Sequence, residues 1–287
     1  MPTMKAIKGR IKSVKSTQQI TKAMNLVATS KLSRSREKLK KERLYSKQMR
    51  LVMARIAQDT DLTMTHPYFT ENSGKNNLIV LITADRGLCG GYNTNACRAC
   101  NEIVGKSEKV DFICVGSKGR EYYARRGRAV LKTFAGITET PFMEDAQEIA
   151  EMVFNAYNSG EYDNIYLVYT HFHTVVSYEP KHMRLLPFDT SELPDYPNDI
   201  PPEHMSFEPN GSELIEFAVQ HYIEAVIFNA LCESASAQLA SKMVSMETAT
   251  ENAEKMISSL ALTYNRARQA RITQELTEIV AGANALT

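Results

Sequence analysis

Between Ser212 and Ala281 the chain runs for seventy residues without a glycine or a proline, although it holds 13 and 10 of them in all. Small or apolar residues recur there in steps of four and three: Leu239, Met243, Met246, Thr250, Ala253, Ile257, Leu260, Tyr264 and Ala267. A stripe of period near 3.5 predicts one helix wound against a partner helix. Gly282 is the residue type expected just past its end. At about 1.5 Å per residue, such a helix is roughly 105 Å long. A compact domain of about 120 residues is only ~35 Å across, so the helix is expected to project from any globule.

The N-terminus predicts a second long helix. No glycine or proline interrupts residues 10–66, and Met4, Ile7, Ile11 and Val14 form an apolar face that Ile20, Met24 and Val27 resume. Leu32, Leu39, Leu44 and Leu51 carry the stripe to about Gln58. Residues 1–50 hold 15 Lys and Arg against two Glu, whereas residues 139–216 hold 16 Asp and Glu against Lys181 and Arg184. The net charge of +1 therefore hides a strong polarity along the chain. A basic, Ser-bearing start also fits a transit peptide, but the helical pattern runs on too long for one. Nucleic-acid binding is disfavoured because no aromatic residue able to stack on a base appears before Tyr45. No apolar run approaches the ~18 residues that cross a bilayer.

The middle changes period. Leu78–Thr83 reads as a buried parallel strand, then a glycine loop, then a helix from Asn95 to about Lys106. Strands at Val110–Val115, Ala129–Phe134 and Asn164–Thr170 alternate with helices at Lys118–Arg126 and Glu144–Asn158, which predicts a small open α/β sheet of βαβ units. Thr174–Val176 is expected as a short edge strand, with little sheet beyond it. Pro180, Pro187, Pro194, Pro197, Pro201, Pro202 and Pro209 mark an acidic, irregular return to the long helix. The expected organisation is a first shaft helix (1–60), an α/β domain (75–190), a Pro-rich connection (191–210) and a second shaft helix (211–287).

No arrangement announces an active site. Gly87-Leu88-Cys89-Gly90-Gly91 follows a strand and opens a helix, where phosphate sits in nucleotide folds. It matches neither G-x-G-x-x-G nor G-x-x-x-x-G-K-[ST], so turn glycines without ligand are expected. Cys97 and Cys100 form C-x-x-C, but inside the helix rather than at its start, which favours buried thiols over zinc or redox use. The five cysteines suggest no disulfide framework. His171 and His173 share a strand face without a third metal ligand in view. No cofactor and no metal are expected.

Two rival classes stay open on the residues alone: a nucleotide-binding α/β protein with helical arms, and a basic coiled-coil nucleic-acid binder. Three segments point elsewhere: ITKAMNLVATSKL (20–32), ITADRGLCGGYN (82–93) and LTYNRARQARITQELTEIVAGANAL (262–286). With their order and intervals, the chain closely resembles the gamma subunit of F-type rotary ATP synthases over nearly its whole length. The resemblance implies an antiparallel coiled coil of the terminal helices, with the α/β domain inserted between them. It implies partners as well: three alpha and three beta subunits around the shaft, the epsilon subunit, and the membrane ring of c subunits. Met24, Lys31, Arg268, Gln269, Thr273 and Glu275 would face the surrounding ring and carry torque, while Asp85, Arg86, Gly87 and Gly90 form the central-domain loop. Nucleotide chemistry would belong to the beta subunits, so this chain is expected to have no catalytic site of its own. Residues 164–209 hold no cysteine, which departs from the redox-regulated photosynthetic members. The direct start into the shaft helix gives the expectation of a bacterial protein, peripheral at the cytoplasmic face of the cell membrane.

Overall fold

The computed structural model describes residues 3–57, 66–70, 74–189, 193 and 211–284. Two helices run through it, α1 (Met4–Ala57) and α5 (Gly211–Asn284), of 54 and 74 residues. The chain divides into two units, Met1–Ala28 with Met243–Thr287, and Thr29–Lys242.

The first unit is an antiparallel helix pair. The covered face of α1 steps by three and four through Met4, Ile7, Ile11, Val14, Gln18, Thr21, Asn25 and Ala28. Ile20 and Val27, expected on this stripe, are instead 58% and 57% exposed. The seam keeps its period by accepting polar residues, so apolar content alone misplaced it by one position. Those polar residues have partners: Thr21 Oγ1 meets Thr250 Oγ1 at 2.7 Å, and Asn25 Nδ2 donates to the Met243 carbonyl at 2.9 Å. Each such bond contributes about 1 kcal/mol and also fixes register, because a slip would strand both groups. On α5, Met246 and Ala253 are buried, and the whole expected stripe to Ala267 is at least partly covered. Counting on from Thr21 opposite Thr250, residue 267 lies level with Met4, where α1 begins. From Arg268 to Ala281 every residue is exposed. α5 also continues through Gly282 to Asn284, against the expected stop. One glycine inside a helix costs only about 1 kcal/mol relative to alanine.

The second unit is an α/β sheet with helices packed on it. In chain order it contains β1 (Asn76–Ile82), α2 (Tyr92–Val104), β2 (Lys109–Val115), α3 (Ser117–Ala124), β3 (Val130–Phe134), α4 (Met143–Asn158), β4 (Asn164–Thr174) and β5 (Ser177–Leu186). The strand order is β3-β2-β1-β4-β5, with β1 to β4 mutually parallel and β5 antiparallel to β4. Leu78, Ile79, Val80 and Leu81 are fully buried, as a parallel strand covered on both faces requires. Fully burying such a side chain contributes about 1.5–3 kcal/mol. After β2 the chain turns at Gly116, φ 92°, where a Cβ would lie 2.4 Å from the Thr83 carbonyl oxygen, so only glycine fits.

β5 is a correction to the expected edge. Residues 175 and 176 form the turn, Val176 is 83% exposed, and the strand that follows is ten residues long. Pro180 lies within it, opposite Thr170, on the edge of the sheet where a missing N–H is tolerated. The Pro-rich connection 191–210 lies outside the described residues apart from Leu193.

Along the rest of α5 the helix is buried almost all round, from Tyr222 to Ser241. Among the described residues α5 is the one helix long and apolar enough by composition to cross a membrane, a feature the residue runs did not suggest. Most of that apolar window (67%) is buried inside the protein, as in the core helix of an α/β unit.

Candidate subunit-contact site

In the first unit the end of α5 has no partner helix among the described residues. Its apolar residues Ile272, Leu276, Ile279 and Val280 are 49–68% exposed and keep the spacing of one helix face. Arg268, Gln269, Thr273 and Glu275 share this bare segment, and Glu275 accepts a bond from Arg271 Nε one turn back at 2.8 Å. Met24 is half-buried at the edge of the seam. An exposed helix with an apolar stripe and a charged, self-paired flank is suited to sliding contact rather than to chemistry.

The second unit grips the helices through two carboxylates that sequence reasoning missed. Glu139, in the loop after β3, receives Lys31 Nζ of α1 at 2.6 Å and Lys242 Nζ of α5 at 2.5 Å. Burial alone would raise its carboxyl pKa, but the two ammonium groups outweigh burial and hold it below the usual carboxylate range. Lys31 is therefore half-exposed yet bonded to its own chain. The same loop is tied again by Lys38, whose Nζ donates to the Pro141 carbonyl at 2.5 Å and lies 4.8 Å from the Phe228 ring centre.

Glu233 on α5 is 1% exposed, accepts from Arg43 Nε at 2.7 Å and from the Phe172 backbone N–H at 2.6 Å, and lies 3.0 Å from His171 Nδ1. Arg43 also donates to the Phe172 carbonyl. Burial holds His171 below the ordinary histidine pKa, against the pull of Glu233. A signal for this hub exists in the sequence: between Glu224 and Lys242, Glu233 is the only charged residue. A lone charge in an otherwise uncharged helical run implies a dedicated partner. Glu139, among Thr and Pro residues on a loop, carries no comparable signal.

The glycine loop lies at the C-terminal end of β1, beside β4, where the strand order reverses and α/β folds receive ligands. Here that mouth is stopped by α5. Ser234 Oγ accepts from the Thr170 N–H at 3.1 Å, and Ser241 Oγ donates to the Cys89 carbonyl at 2.5 Å. Asp85 accepts four bonds, from the Ser117 N–H (3.2 Å) and hydroxyl (3.3 Å), the Gly136 N–H (2.9 Å) and the Thr138 hydroxyl (2.9 Å). It laces the loop after β1 to the start of α3 and the loop after β3. Arg86 and Gly87 are exposed, and Gly90 takes φ 51° as the chain enters α2.

The other candidates resolve into packing. Cys97, Cys100 and Cys114 belong to the core with Ile79, Leu81 and Phe112, and burial pushes their thiols up to about 11, 12 and 12. The His171 and His173 rings are 4.5 Å apart, but each turns to its own carboxylate, Glu233 and Glu179. Among the described residues no three His, Cys, Asp or Glu are grouped to hold a metal.

The sequence matches the ATP synthase family over residues 3–286. The ATP synthase gamma chain of Desulfitobacterium hafniense is 40% identical over 287 residues, all of both chains, and that of Alkaliphilus metalliredigens is 42% identical over 286, covering 99% of this chain and 98% of the relative. The chain belongs to the ATP synthase gamma chain family. Among solved structures, a chain of the central stalk and c-ring of the Tetrahymena thermophila mitochondrial ATP synthase matches with TM-score 0.65 and 25% identity, over 80% of this chain and 99% of that one. As a gamma-chain family member, this chain is a subunit of an ATP synthase, a membrane-associated complex. The terminal helices and the inserted sheet are those expected of the family.

Proposed function

We propose that this chain is the rotor of the central stalk, carrying torque between a membrane ring of c subunits and catalytic sites on the beta subunits. The observation that carries the reading is the bare end of α5, residues 268–281, in a chain related over its full length to ATP synthase gamma chains. Three alpha and three beta subunits would surround this end, and epsilon and the c-ring would contact the α/β unit. Arg268, Gln269, Thr273 and Glu275, with Met24 and Lys31, are the proposed torque contacts. The chain itself would contribute no catalytic group, since the ligand mouth of its sheet is filled by Ser234 and Ser241 of its own helix. The complex would lie at the cytoplasmic face of a bacterial membrane. Affinity purification of the tagged chain from native membranes tests this. Alpha and beta should each appear at about three copies per copy of this chain. Recovery of the chain without them would refute the reading.

A further inference from the structure

We infer that the groove between α2 and α3 is a binding site for linked phosphate groups, such as pyrophosphate or the polyphosphate of a nucleotide. This groove of about 350 Å³ adjoins the glycine loop through Asn93 and contains no residue of either carboxylate hub. Lys118, Arg125 and Arg126 line it together with Tyr122, Asn93 and Glu121. From Lys118 to Lys132 the chain carries six cations against the single carboxylate of Glu121. Of these six, Lys132 lies 3.6 Å from the Glu148 carboxylate on α4.

The groove is organised before any ligand arrives. The Arg126 guanidinium lies 3.5 Å from the Tyr122 ring centre and donates from one nitrogen to the Tyr122 carbonyl at 3.0 Å. The Tyr122 hydroxyl accepts from Asn101 Nδ2 at 3.0 Å, which locks the ring beneath the cation. A stacked, planar guanidinium is suited to two-pronged phosphate recognition. Lys118 is held to Glu121 at 2.8 Å, and Glu121 is kept below the usual carboxylate range first by that bond. Glu121 thus occupies Lys118 as an internal counter-ion that an incoming phosphate would displace. Lys118 in the first turn of α3 and Arg125 at its C-cap stand about two turns apart, roughly 10 Å of rise. That spacing suits two joined phosphates, one to each cation, better than a single phosphate.

The test is calorimetry on the full-length chain in about 150 mM salt, where loose surface attraction is screened. Metal-free pyrophosphate, inorganic phosphate and ATP are the probes. Pyrophosphate should bind at one site, about tenfold or more tighter than inorganic phosphate. The double variant Lys118→Ala with Arg126→Ala should lose about tenfold or more, while Glu121→Gln should bind more tightly than the parent. The Glu121→Gln gain cannot arise from misfolding, so it guards the test against a damaged double variant. ATP displacing pyrophosphate would assign a nucleotide as the source of the phosphates, and pyrophosphate alone would assign an inorganic one. The inference is overturned by absence of saturable binding up to about 10 mM, by equal affinity for inorganic phosphate, or by indifference to Glu121→Gln.

Discussion

Replacing Glu233 with alanine isolates the grip of the α/β unit on its helix. The carboxylate is 1% exposed, so its removal leaves the Phe172 N–H, in a residue 4% exposed, without its acceptor. An orphaned buried donor costs about 1–3 kcal/mol. Arg43 is different, because its side chain is 42% exposed and can turn to water, so it adds little. The small cavity brings the expected loss to about 2–3 kcal/mol. For a unit of this size that corresponds to a fall of about 4–12 °C in melting temperature. Glu233→Gln keeps an acceptor for Phe172 and gives up only the charge, so its loss should be less than half as large. Thermal unfolding of parent, Ala and Gln chains, followed by circular dichroism at one concentration and pH, measures both. An alanine variant that melts within about 1 °C of the parent, or a Gln variant that is worse than Ala, would refute the reasoning.

Three other outcomes are expected. Ala267→Pro removes a hydrogen bond inside α5 at its last partly covered position and should cost about 3 kcal/mol or more, seen as failed assembly or as ATP hydrolysis without proton pumping; normal pumping would contradict it. Glu139→Gln should show the pH dependence of the clamp: the folded pKa is depressed, so the clamp's contribution is present above the unfolded value near 4.3 and fades as pH falls through the lower folded one. The parent's advantage in melting temperature should hold from pH 7 to 5 and shrink below about 4, and an advantage that grew on acidification would be the wrong sign. With the five native cysteines replaced, a cysteine at exposed Lys106 cross-linked to a stationary subunit should stop multi-turnover hydrolysis until reductant is added; full activity while cross-linked would mean that the chain does not turn.

The parallel strands were legible because fully buried segments such as LIVLI are apolar without alternation and are flanked by turn residues. The stripe of α5 was legible for the same kind of reason, since from Leu239 to Ala267 small or apolar residues keep one period. β5 was hidden by Pro180, which reads as a break when the sheet edge that tolerates it is not known. The polar seam positions of α1, Thr21 and Asn25, could not be seen because their partners lie more than 200 residues away. For the candidate site, the glycine loop was found but its role was not: whether Asp85 meets a ligand or four groups of its own chain depends on how three loops converge. Lys106, expected on α2, follows the Gly105 cap just beyond the helix.

The mouth of the sheet is closed in a particular way: α5 holds it with side chains, and the sheet answers with main chain. Ser234 and Glu233 take the N–H groups of Thr170 and Phe172, and Ser241 gives to the carbonyl of Cys89. Peptide groups are the same whatever residue carries them. Substitutions at the receiving positions can therefore accumulate without loosening the helix, so long as their volumes suit the core. At the giving positions drift is narrower, because any side chain without the matching oxygen deletes a bond. Divergence within the family should accordingly be lopsided across this junction, slow on the helix and faster on the strand and loop that embrace it.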